Sequence, residues 1–348
     1  MLYGVKNPHG GDQYGDGIAL DFSANVSPLG TPKCVTEAIE RGLPELYRYP
    51  DPYCRALVQA IARYEGVPGE FILCGNGASE LIYAYCEAVR PGRAMELAPT
   101  FSEYSLALQR RGCGVVRFVL SQEEKFDLQE RFLARLACEK IDALFLCNPN
   151  NPTGTYVPIG ELEAFADTLP EDVLLVMDEA YMEFATEPDC CSMVDYIKAH
   201  PEKSILVLRT FSKYYAMAGL RVGYALGSEE LIGIMRKCSA SWNLNVCAQK
   251  AAVAGLADQE YYQEQKAKIV EGREYLEKEM AALGCRVYPS QSNFIYFDTG
   301  KDPAWIQEQL MEKGIRIGAF EMSRVSVGTM EECKLYIKAL KEILEAAE

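Results

Sequence analysis

The chain has 348 residues, of which 49% are hydrophobic, and its formal net charge at pH 7 is −15. This length and composition allow a large core and more than one domain, and the lack of a basic stripe argues against a nucleic-acid partner. No apolar run approaches the roughly 20 residues that span a bilayer, and residues 1–17 lack the apolar core of a signal peptide, so we expect a cytoplasmic protein without a membrane partner.

Cysteine and histidine usage restricts the chemistry further. The thirteen cysteines are scattered, odd in number and contain no Cys-x-x-Cys pair, which predicts reduced thiols rather than a disulfide framework. His9 and His200 are the two histidines of the sequence. We therefore expect neither a histidine-based metal site nor a Ser-His-Asp triad.

Short apolar runs alternate with segments of helical periodicity from about residue 70 to residue 230. This alternation predicts an α/β domain with a mostly parallel sheet sandwiched by helices, which we assign to residues 46–240. Such sheets place ligands beyond the carboxyl ends of their strands. The predicted strands are residues 71–74, 94–98, 115–120, 143–147, 173–177, 205–208 and 222–226, and the clearest helices are 79–89, 103–111 and 159–168.

The pattern changes after about residue 240. We expect residues 241–348 to form a long helix and a small α+β domain, and residues 1–45 to join that domain or reach a partner subunit. The long helix is predicted over 246–282 with a break near 255–258. The predicted strands that follow are 286–288, 294–297, 315–317 and 324–327, and the predicted helices are 303–313 and 331–346.

The most informative motif is Arg-Thr-Phe-Ser-Lys at residues 209–213, which follows a predicted strand and precedes Arg221 by eight residues. The amine of Lys213 can form a Schiff base with an aldehyde cofactor, while the hydroxyl groups and the guanidinium can hold a phosphate of that cofactor. The alternative is a strand end followed by an ordinary surface lysine.

Polar residues also follow two neighbouring predicted strands. Asn151 lies in the Asn-Pro-Asn-Asn-Pro-Thr-Gly loop, whose prolines and glycine predict a rigid turn, and its amide can reach a ring hydroxyl. Asp178 ends a buried apolar run, where an unpaired carboxylate is costly, and it suits a protonated pyridine nitrogen. Tyr181 follows three residues later. A purely structural turn and a helix N-cap are the alternatives for the loop and for Asp178.

A glycine-rich loop follows the first predicted strand. Gly75 and Gly77 permit a tight turn, and the amides of Ala78 and Ser79 then open a helix whose N-terminus favours an anion. The loop matches neither a P-loop nor a dinucleotide fingerprint.

Together, these four segments resemble the fold-type I pyridoxal-phosphate enzymes, the class I/II aminotransferase superfamily that includes aspartate aminotransferase. The resemblance covers nearly the whole chain and implies an aspartate-aminotransferase-like fold, with pyridoxal 5'-phosphate bound by the large domain. It implies that Lys213 forms the Schiff base, that Asp178 pairs with the pyridine nitrogen, and that Asn151 and Tyr181 face the ring hydroxyl. The phosphate group is implied to lie against Gly77, Ala78, Ser79, Thr210, Ser212 and Arg221.

The resemblance implies roles for residues outside the four segments as well. Phe101 would stack on the cofactor ring, and Tyr49 would reach the cofactor phosphate of a neighbouring subunit, which implies a homodimer with shared active sites. Arg324 would grip the substrate carboxylate, a task that suits a bidentate guanidinium. The alternative for Arg324 is an ordinary strand arginine at the surface.

Two subfamilies fit best. Residues 148–154 and 324–332 resemble histidinol-phosphate aminotransferases, whereas residues 9–11 and 21–30 resemble threonine-phosphate decarboxylases of cobalamin biosynthesis. In the decarboxylases, residues matching His9 and Asn25 lie near the substrate. This chain departs from them at Gly318, where they usually carry an arginine, and strand alternation would send the nearby Arg316 to another face. A substrate phosphate would then lose a partner.

We therefore predict a pyridoxal-phosphate-dependent aminotransferase of amino-acid metabolism that acts on a small amino acid, phosphorylated or not. A threonine-phosphate decarboxylase-type activity is the alternative within the same fold. A non-catalytic sensor that keeps the fold and the cofactor is a third hypothesis, although such proteins usually carry a fused DNA-binding domain.

Overall fold

A computed structural model describes residues 9–12, 17–128 and 130–347 of the chain. Within these ranges the chain forms twelve α-helices and thirteen β-strands. The helices are α1 (Lys33–Gly42), α2 (Arg55–Glu65), α3 (Ala78–Val89), α4 (Glu103–Arg110), α5 (Glu130–Cys138), α6 (Ile159–Thr168), α7 (Val194–Ala199), α8 (Glu229–Cys238), α9 (Val246–Ala257), α10 (Gln259–Ala282), α11 (Pro303–Glu312) and α12 (Met330–Ala346). The strands are β1 (Leu20–Asp21), β2 (Ile72–Gly75), β3 (Arg93–Ala98), β4 (Gly114–Val119), β5 (Ala143–Cys147), β6 (Leu174–Asp178), β7 (Ile205–Thr210), β8 (Gly223–Leu226), β9 (Arg286–Val287), β10 (Phe294–Asp298), β11 (Ile315–Arg316), β12 (Gly318–Ala319) and β13 (Ser323–Ser326).

A seven-stranded sheet forms the centre of the molecule, in the order β2-β8-β7-β6-β5-β3-β4. Strand β8 runs antiparallel to both of its neighbours, and the other pairings in this sheet are parallel. The carboxyl ends of β2, β3, β5, β6 and β7 therefore meet at one edge of the sheet, where an α/β protein places its ligands.

Both faces of the sheet are buried. Along β5, Leu144 and Leu146 belong to one hydrophobic cluster, whereas Phe145 and Cys147 belong to the cluster on the other face. This alternation explains why the central strands have continuous apolar sequences, since each strand must fill two helix-covered layers.

The C-terminal part of the chain contains a four-stranded antiparallel sheet in the order β12-β13-β10-β9. Strand β1 pairs in parallel with β11, so the N-terminal segment lies beside this part of the chain. The predicted helix break is confirmed, because α9 ends at Ala257 and α10 begins at Gln259. The division at residues 45 and 240 remains a prediction.

The predicted strands and the clearest predicted helices are confirmed to within two residues at each end. Several short elements were missed, among them α7 and the two-residue strands β1 and β12, because such short segments carry too little periodicity. All thirteen cysteines, each of which lies within the described ranges, are free thiols. None of the described helices has the length and apolarity needed to cross a membrane.

A buried ionic cluster lies directly behind the sheet edge. Arg209 Nε lies 3.3 Å from a carboxylate oxygen of Glu179 and 3.8 Å from one of Glu65, and Arg209 Nη1 lies 3.1 Å from Glu183 Oε1. Burial raises the pKa of Glu183 to about 7, although Arg209 opposes this shift. Because Arg209 and Glu179 adjoin Thr210 and Asp178 in sequence, the cluster fixes the two strand ends that carry predicted site residues.

Candidate active site

A cavity of about 1160 Å³ opens at the carboxyl edge of the large sheet. Its walls come from the ends of β5, β6 and β7, from the start of α3, from the N-terminal segment and from β13. Of the site residues predicted from the sequence, all but Gly77 and Tyr49 line this cavity. Sequence segments that are more than 300 residues apart therefore contribute to one site.

Lys213 lies three residues after the end of β7, and its amine reaches into the cavity. The Nζ atom donates a hydrogen bond of 2.7 Å to the carbonyl oxygen of Ala24. Burial lowers the pKa of Lys213 to about 7, and the positive charges of Arg324 and Arg221 contribute to this shift. A substantial fraction of the amine is therefore neutral near pH 7, which is the form that attacks an aldehyde or accepts a proton.

Asp178 is the last residue of β6, and its carboxylate is held from two sides. The hydroxyl of Tyr104 donates a hydrogen bond of 2.6 Å to Asp178 Oδ2, and the amide nitrogen of Ala180 donates one of 3.1 Å to Oδ1. Burial raises the pKa of the Asp178 carboxyl, and these two hydrogen bonds oppose the shift. The result is a fixed carboxylate in a buried setting, which suits a cationic ring nitrogen.

An anion cradle forms where α3 begins. The N-cap residue of the helix, Gly77, offers no capping side chain, and Ala78 and Ser79 in the first turn line the cavity. Arg221 Nη1 donates a hydrogen bond of 3.1 Å to Ser212 Oγ, which holds the guanidinium beside this helix end. The backbone φ of Gly77 is +81°, and a Cβ atom there would collide with Arg221 Nη2, so another residue would strain the backbone and displace the guanidinium. The helix dipole and the guanidinium together favour an anionic group here.

Arg324 lies on β13, is buried and lines the cavity. Its Nη2 atom donates a hydrogen bond of 2.7 Å to the carbonyl oxygen of Ser23, and its Nη1 atom donates to Asn151 Oδ1. Within the described residues, Arg324 Nε has no hydrogen-bond partner. A buried guanidinium with an unused donor is expected to hold an anionic ligand, because otherwise the desolvation of that donor is uncompensated.

Asn25 connects the N-terminal segment to Tyr181. Its Nδ2 atom donates a hydrogen bond of 3.2 Å to the hydroxyl of Tyr181, and its Oδ1 atom accepts one of 2.7 Å from Ser326 Oγ. Asn293 donates a further hydrogen bond of 3.0 Å to the carbonyl oxygen of Asn25. The structure therefore fixes the hydroxyl of Tyr181 within the cavity wall.

His9 closes the cavity from the N-terminal side. Its Nε2 atom lies 2.7 Å from Glu103 Oε1, and its ring lies 5.6 Å from that of Phe101. The hydroxyl of Tyr83 donates a hydrogen bond of 2.9 Å to the other carboxylate oxygen of Glu103. This contact places His9 beside the aromatic residue that was predicted to cover the cofactor.

Tyr49 lies outside the cavity of its own chain. Its side chain is 75% exposed, and its ring stacks on Trp242 at a centroid distance of 4.5 Å. Leu46, Tyr47 and Tyr53 are also exposed nearby in the sequence, which makes this an apolar surface region. Large exposed aromatic groups of this kind are typical of protein interfaces.

The sequence matches the family of class I and II aminotransferases over residues 18–340. The chain belongs to the class I and II aminotransferases. A histidinol-phosphate aminotransferase from Moorella thermoacetica is 34% identical over 333 residues, which cover 93% of this chain and 85% of the relative. Histidinol-phosphate aminotransferase 2 from Carboxydothermus hydrogenoformans is 36% identical over 333 residues, which cover 93% of this chain and 91% of the relative.

Two solved structures superimpose closely on this aminotransferase over nearly its whole length. The histidinol-phosphate aminotransferase from Sinorhizobium meliloti in complex with pyridoxal-5'-phosphate superimposes with a TM-score of 0.88 at 29% identity, covering 95% of this chain and 92% of that chain. A decarboxylase from Sulfurospirillum multivorans superimposes with a TM-score of 0.82 at 25% identity, covering 94% and 95% of the two chains. The predicted aspartate-aminotransferase-like fold is confirmed.

The aminotransferase uses pyridoxal 5'-phosphate, and the cavity fits this cofactor. A cofactor with an aldehyde, a ring nitrogen and a phosphate needs an amine, a carboxylate and an anion cradle around one space. The cavity contains all three in Lys213, in Asp178 and in the start of α3 with Arg221. A side chain at residue 77 would displace the Arg221 guanidinium from the cradle, which favours glycine at this position.

Three residues that shape the site of the aminotransferase carry no sequence signal for this role. Tyr104 is 74 residues away from Asp178, and helical periodicity marks it as a core residue without indicating its partner. The backbone carbonyl of Ser23 contacts Arg324, and a backbone group leaves no sequence signal. Glu103 begins α4 and could have been proposed only as a first-turn acidic residue. Arg316 is not among the described residues that line the cavity, and its Nη1 atom donates a hydrogen bond to the carbonyl oxygen of Asp12.

Proposed function

We propose that this aminotransferase accepts a small phosphorylated amine of the histidinol-phosphate type as amino donor. The observation that carries the proposal is the buried guanidinium of Arg324, whose Nε atom has no protein partner among the described residues and which lines the same cavity as Lys213. Histidinol phosphate has a phosphate in place of the carboxylate of an amino acid, and a guanidinium binds either anion through two parallel N–H groups. The names of the similar enzymes support the phosphate.

The roles of the cavity residues are part of this proposal. The amides of Ala78 and Ser79, the hydroxyls of Thr210 and Ser212 and the guanidinium of Arg221 hold the cofactor phosphate. Support comes from the uncapped start of α3 and from the hydrogen bond between Arg221 and Ser212. A site that binds the doubly charged phosphate of the cofactor also fixes the orientation of the cofactor in the cavity.

We assign the ring contacts to four further residues. Asp178 keeps the ring nitrogen protonated, Asn151 and Tyr181 face the ring hydroxyl, and Phe101 covers one face of the ring. Pyridoxal phosphate, when bound, supplies an electron sink that makes bonds at the α-carbon of the amine labile. The contribution of Asp178 is electrostatic, because a fixed carboxylate in a buried site stabilises positive charge without rearranging.

Lys213 has two tasks in this proposal. Its Nζ atom would hold the aldehyde carbon of the bound cofactor, and once the substrate amine has taken that place, the released amine would accept the proton from the α-carbon. The lowered pKa of Lys213 supports both tasks, since a neutral amine is both the nucleophile and the base. The nearby carbonyl oxygen of Ala24 keeps the amine in the cavity between the two steps.

Borohydride treatment tests the assignment of Lys213. We expect reduction of the holoenzyme to leave the cofactor covalently attached to the peptide that contains Lys213, and the Lys213→Ala variant to be colourless. A Lys213→Ala protein that keeps the visible absorption band of the wild type would contradict the assignment. Lys33, whose side chain is 88% exposed, provides the matched control as Lys33→Ala.

We also propose a homodimer in which Tyr49 reaches the cofactor phosphate of the partner subunit. The exposed stack of Tyr49 on Trp242 supports this, because it lies outside the cavity of its own chain. Light scattering of active enzyme should give twice the chain mass, whereas a fully active monomer would contradict the proposal. We place the enzyme in the cytoplasm, and the free state of all thirteen cysteines supports a reducing compartment.

A decarboxylase of the threonine-phosphate type is the second candidate. It is favoured by the position of His9 and Asn25 in the cavity wall and by the similarity to the decarboxylase structure. The two reactions differ in the bond that breaks at the α-carbon. Release of carbon dioxide from O-phosphothreonine without formation of a keto acid would favour this candidate over the aminotransferase.

A further inference from the structure

Two buried cysteines meet beneath the glycine-rich loop. Cys54 is the residue before α2 and is 4% exposed, while Cys74 is the third residue of β2 and is 6% exposed. Ile72 and Cys74 belong to the hydrophobic cluster that also contains Cys54, whereas Leu73 belongs to the cluster on the other face of the sheet. The alternation of side chains along β2 therefore places the Cys74 thiol on the same face of the sheet as Cys54.

The two thiols are in direct contact. The thiol of Cys74 donates a hydrogen bond to the sulfur of Cys54, and the thiol of Cys54 donates one of 3.8 Å to the carbonyl oxygen of Asp51. The contact with Cys74 lowers the pKa of Cys54, although burial and the charges of Asp51 and Glu80 oppose this shift. The same contact raises the pKa of Cys74. Because the thiolate is the nucleophilic form of cysteine, Cys54 is the more reactive member of the pair.

The backbone of Cys54 is strained. Its φ is +48° and its ψ is +37°, in the left-handed region that side chains other than those of asparagine and aspartate rarely adopt. The carboxylate of Asp51 holds this turn, because it accepts hydrogen bonds of 3.0 Å from the amide of Tyr53 and 2.8 Å from the amide of Arg55. Residues held in such conformations are concentrated at functional sites and switches, so the strain indicates a role for this cysteine beyond packing.

The cysteine pair joins two segments of the cofactor site. Cys74 is followed directly by residues 75–77, which lead into the anion cradle, and Cys54 follows Tyr49 by five residues. A sulfur–sulfur bond of about 2.05 Å is much shorter than the contact between two separate thiols. Formation of this bond must therefore shift the end of β2, the turn at residues 51–55, or both.

We propose that Cys54 and Cys74 are a redox modification site: a hydroperoxide such as hydrogen peroxide converts them to a reversible disulfide, and this cross-link weakens the binding of the cofactor phosphate. The sulfur of Cys54 attacks one peroxide oxygen, the O–O bond breaks, and the other oxygen leaves as water with the thiol proton, which gives a sulfenic acid. The sulfur of Cys74 then displaces the hydroxyl group, which leaves as water with the second thiol proton.

The two sulfurs together lose two electrons, which reduce one peroxide to two waters, and a dithiol reverses the change. The small size of hydrogen peroxide suits a buried pair, and Tyr53, the residue before Cys54, is 60% exposed, so the pair lies close to the surface of the chain. Reversible disulfides of this kind are the type found in reducing compartments. The effect on the cofactor rests on the proposed role of the cradle, whereas the cross-link itself does not.

Peptide mapping of the oxidised holoenzyme tests the cross-link. Trypsin should release Cys54 in peptide 49–55 and Cys74 in peptide 64–93, which also contains Cys86. After treatment with hydrogen peroxide and alkylation of the remaining thiols, we expect these two peptides to be joined and to separate in dithiothreitol. Cys54→Ser should abolish the joined species. Cys86→Ser is the matched control, because this buried cysteine shares a peptide with Cys74 and its loss should leave the cross-link intact.

Equilibrium dialysis of the same samples tests the consequence for the cofactor. Oxidation should weaken the affinity for pyridoxal phosphate by about tenfold, the size of one lost hydrogen bond to a charged group, and dithiothreitol should restore it. Pyridoxal, which lacks the phosphate, should show a smaller change, because the cross-link acts on the anion cradle. The Cys54→Ser enzyme should keep its affinity after the same treatment, although exposed cysteines such as Cys138 and Cys191 remain open to oxidation.

The inference is overturned if peptides 49–55 and 64–93 stay separate after oxidation, or if the cross-linked enzyme binds pyridoxal phosphate as tightly as the reduced enzyme. An equal loss of affinity in the wild type and in Cys54→Ser also overturns it, because the cross-link would then not be the cause. Failure of the proposed amino donor is distinguishable from these results. An enzyme that loses cofactor affinity on cross-linking but transfers no amino group from histidinol phosphate contradicts the proposed donor alone.

Discussion

The lowered pKa of Lys213 predicts the pH dependence of cofactor capture by the apoenzyme. The pKa falls from the ordinary value of 10.5 to about 7, mainly because the amine is buried and because Arg324 and Arg221 are positively charged. With a pKa of about 7, about half of the amine is neutral at pH 7, compared with roughly one part in three thousand for an ordinary lysine. We therefore expect capture at pH 7 to be about a thousandfold faster than for an ordinary exposed lysine.

The direction of the pH dependence follows from the neutral form of the Lys213 amine, which is the form that reacts. The neutral amine attacks the aldehyde, so the capture rate should rise with pH up to about 7 and become flat above it. Stopped-flow absorbance after mixing apoenzyme with pyridoxal phosphate measures this rate. Pyridoxal without the phosphate is the necessary control, because the second pKa of a phosphate group lies near 6 and would distort the acidic limb.

A variant separates the two causes of the shift. Arg324 is the larger of the two charge contributions, so Arg324→Met should move the midpoint of the rate profile to higher pH. A wild-type rate that keeps rising without a plateau up to about pH 10 would refute the argument, because Lys213 would then titrate like an ordinary lysine.

Three further predictions follow from contacts in and behind the cavity. Asp178→Asn should retain the cofactor but lower kcat by about two orders of magnitude, the size of one lost electrostatic contact in a closed site, and an unchanged kcat would argue against its role. Gly77→Ala should weaken the affinity for pyridoxal phosphate by at least about tenfold in equilibrium dialysis, because the backbone φ is +81° and the new Cβ atom would meet Arg221. The control is Gly160→Ala, whose new Cβ atom would have no other atom within 4 Å, and this variant should bind the cofactor normally. Arg209→Met should lower the free energy of unfolding in urea by about 3–5 kcal/mol because it leaves buried glutamates unpaired, and a loss below about 1 kcal/mol would show that these glutamates are already protonated.

Much of the fold was predictable because the central strands are buried on both faces. Continuous apolar runs such as residues 143–147 mark such strands, and polar residues that follow them mark the ligand edge. Strand β8 was predicted as a strand, but its antiparallel direction was not specified, since an apolar run has no signal for direction. Local sequence therefore predicts the elements better than it predicts their pairing.

The candidate site was predictable where one segment carries the chemistry. Lys213, Asp178 and Asn151 each end or follow a strand, and the structure brings them to one cavity. The contacts that tune them join distant residues, as in the pair of Tyr104 with Asp178 and the contact of Arg324 with the carbonyl oxygen of Ser23. Such contacts depend on tertiary packing, and a single sequence does not contain them.

The position of Phe320 illustrates the same limit. The sequence shows that Gly318 replaces a residue that is usually larger in one subfamily, and this suggested only a missing partner for a phosphate. The structure shows that the space is filled by an aromatic ring against Arg324. A change that was interpreted as a loss of charge is therefore also a gain of an apolar surface.

Amino-group transfer from histidinol phosphate is the most direct test of the proposed activity. The holoenzyme is incubated with histidinol phosphate, labelled isotopically in its amino group, and with an α-keto acid. A parallel reaction contains O-phosphothreonine and is monitored for carbon dioxide. We expect the label in the amino acid formed from the keto acid, and no carbon dioxide from O-phosphothreonine. Carbon dioxide release from O-phosphothreonine together with no transfer of label from histidinol phosphate would contradict the account.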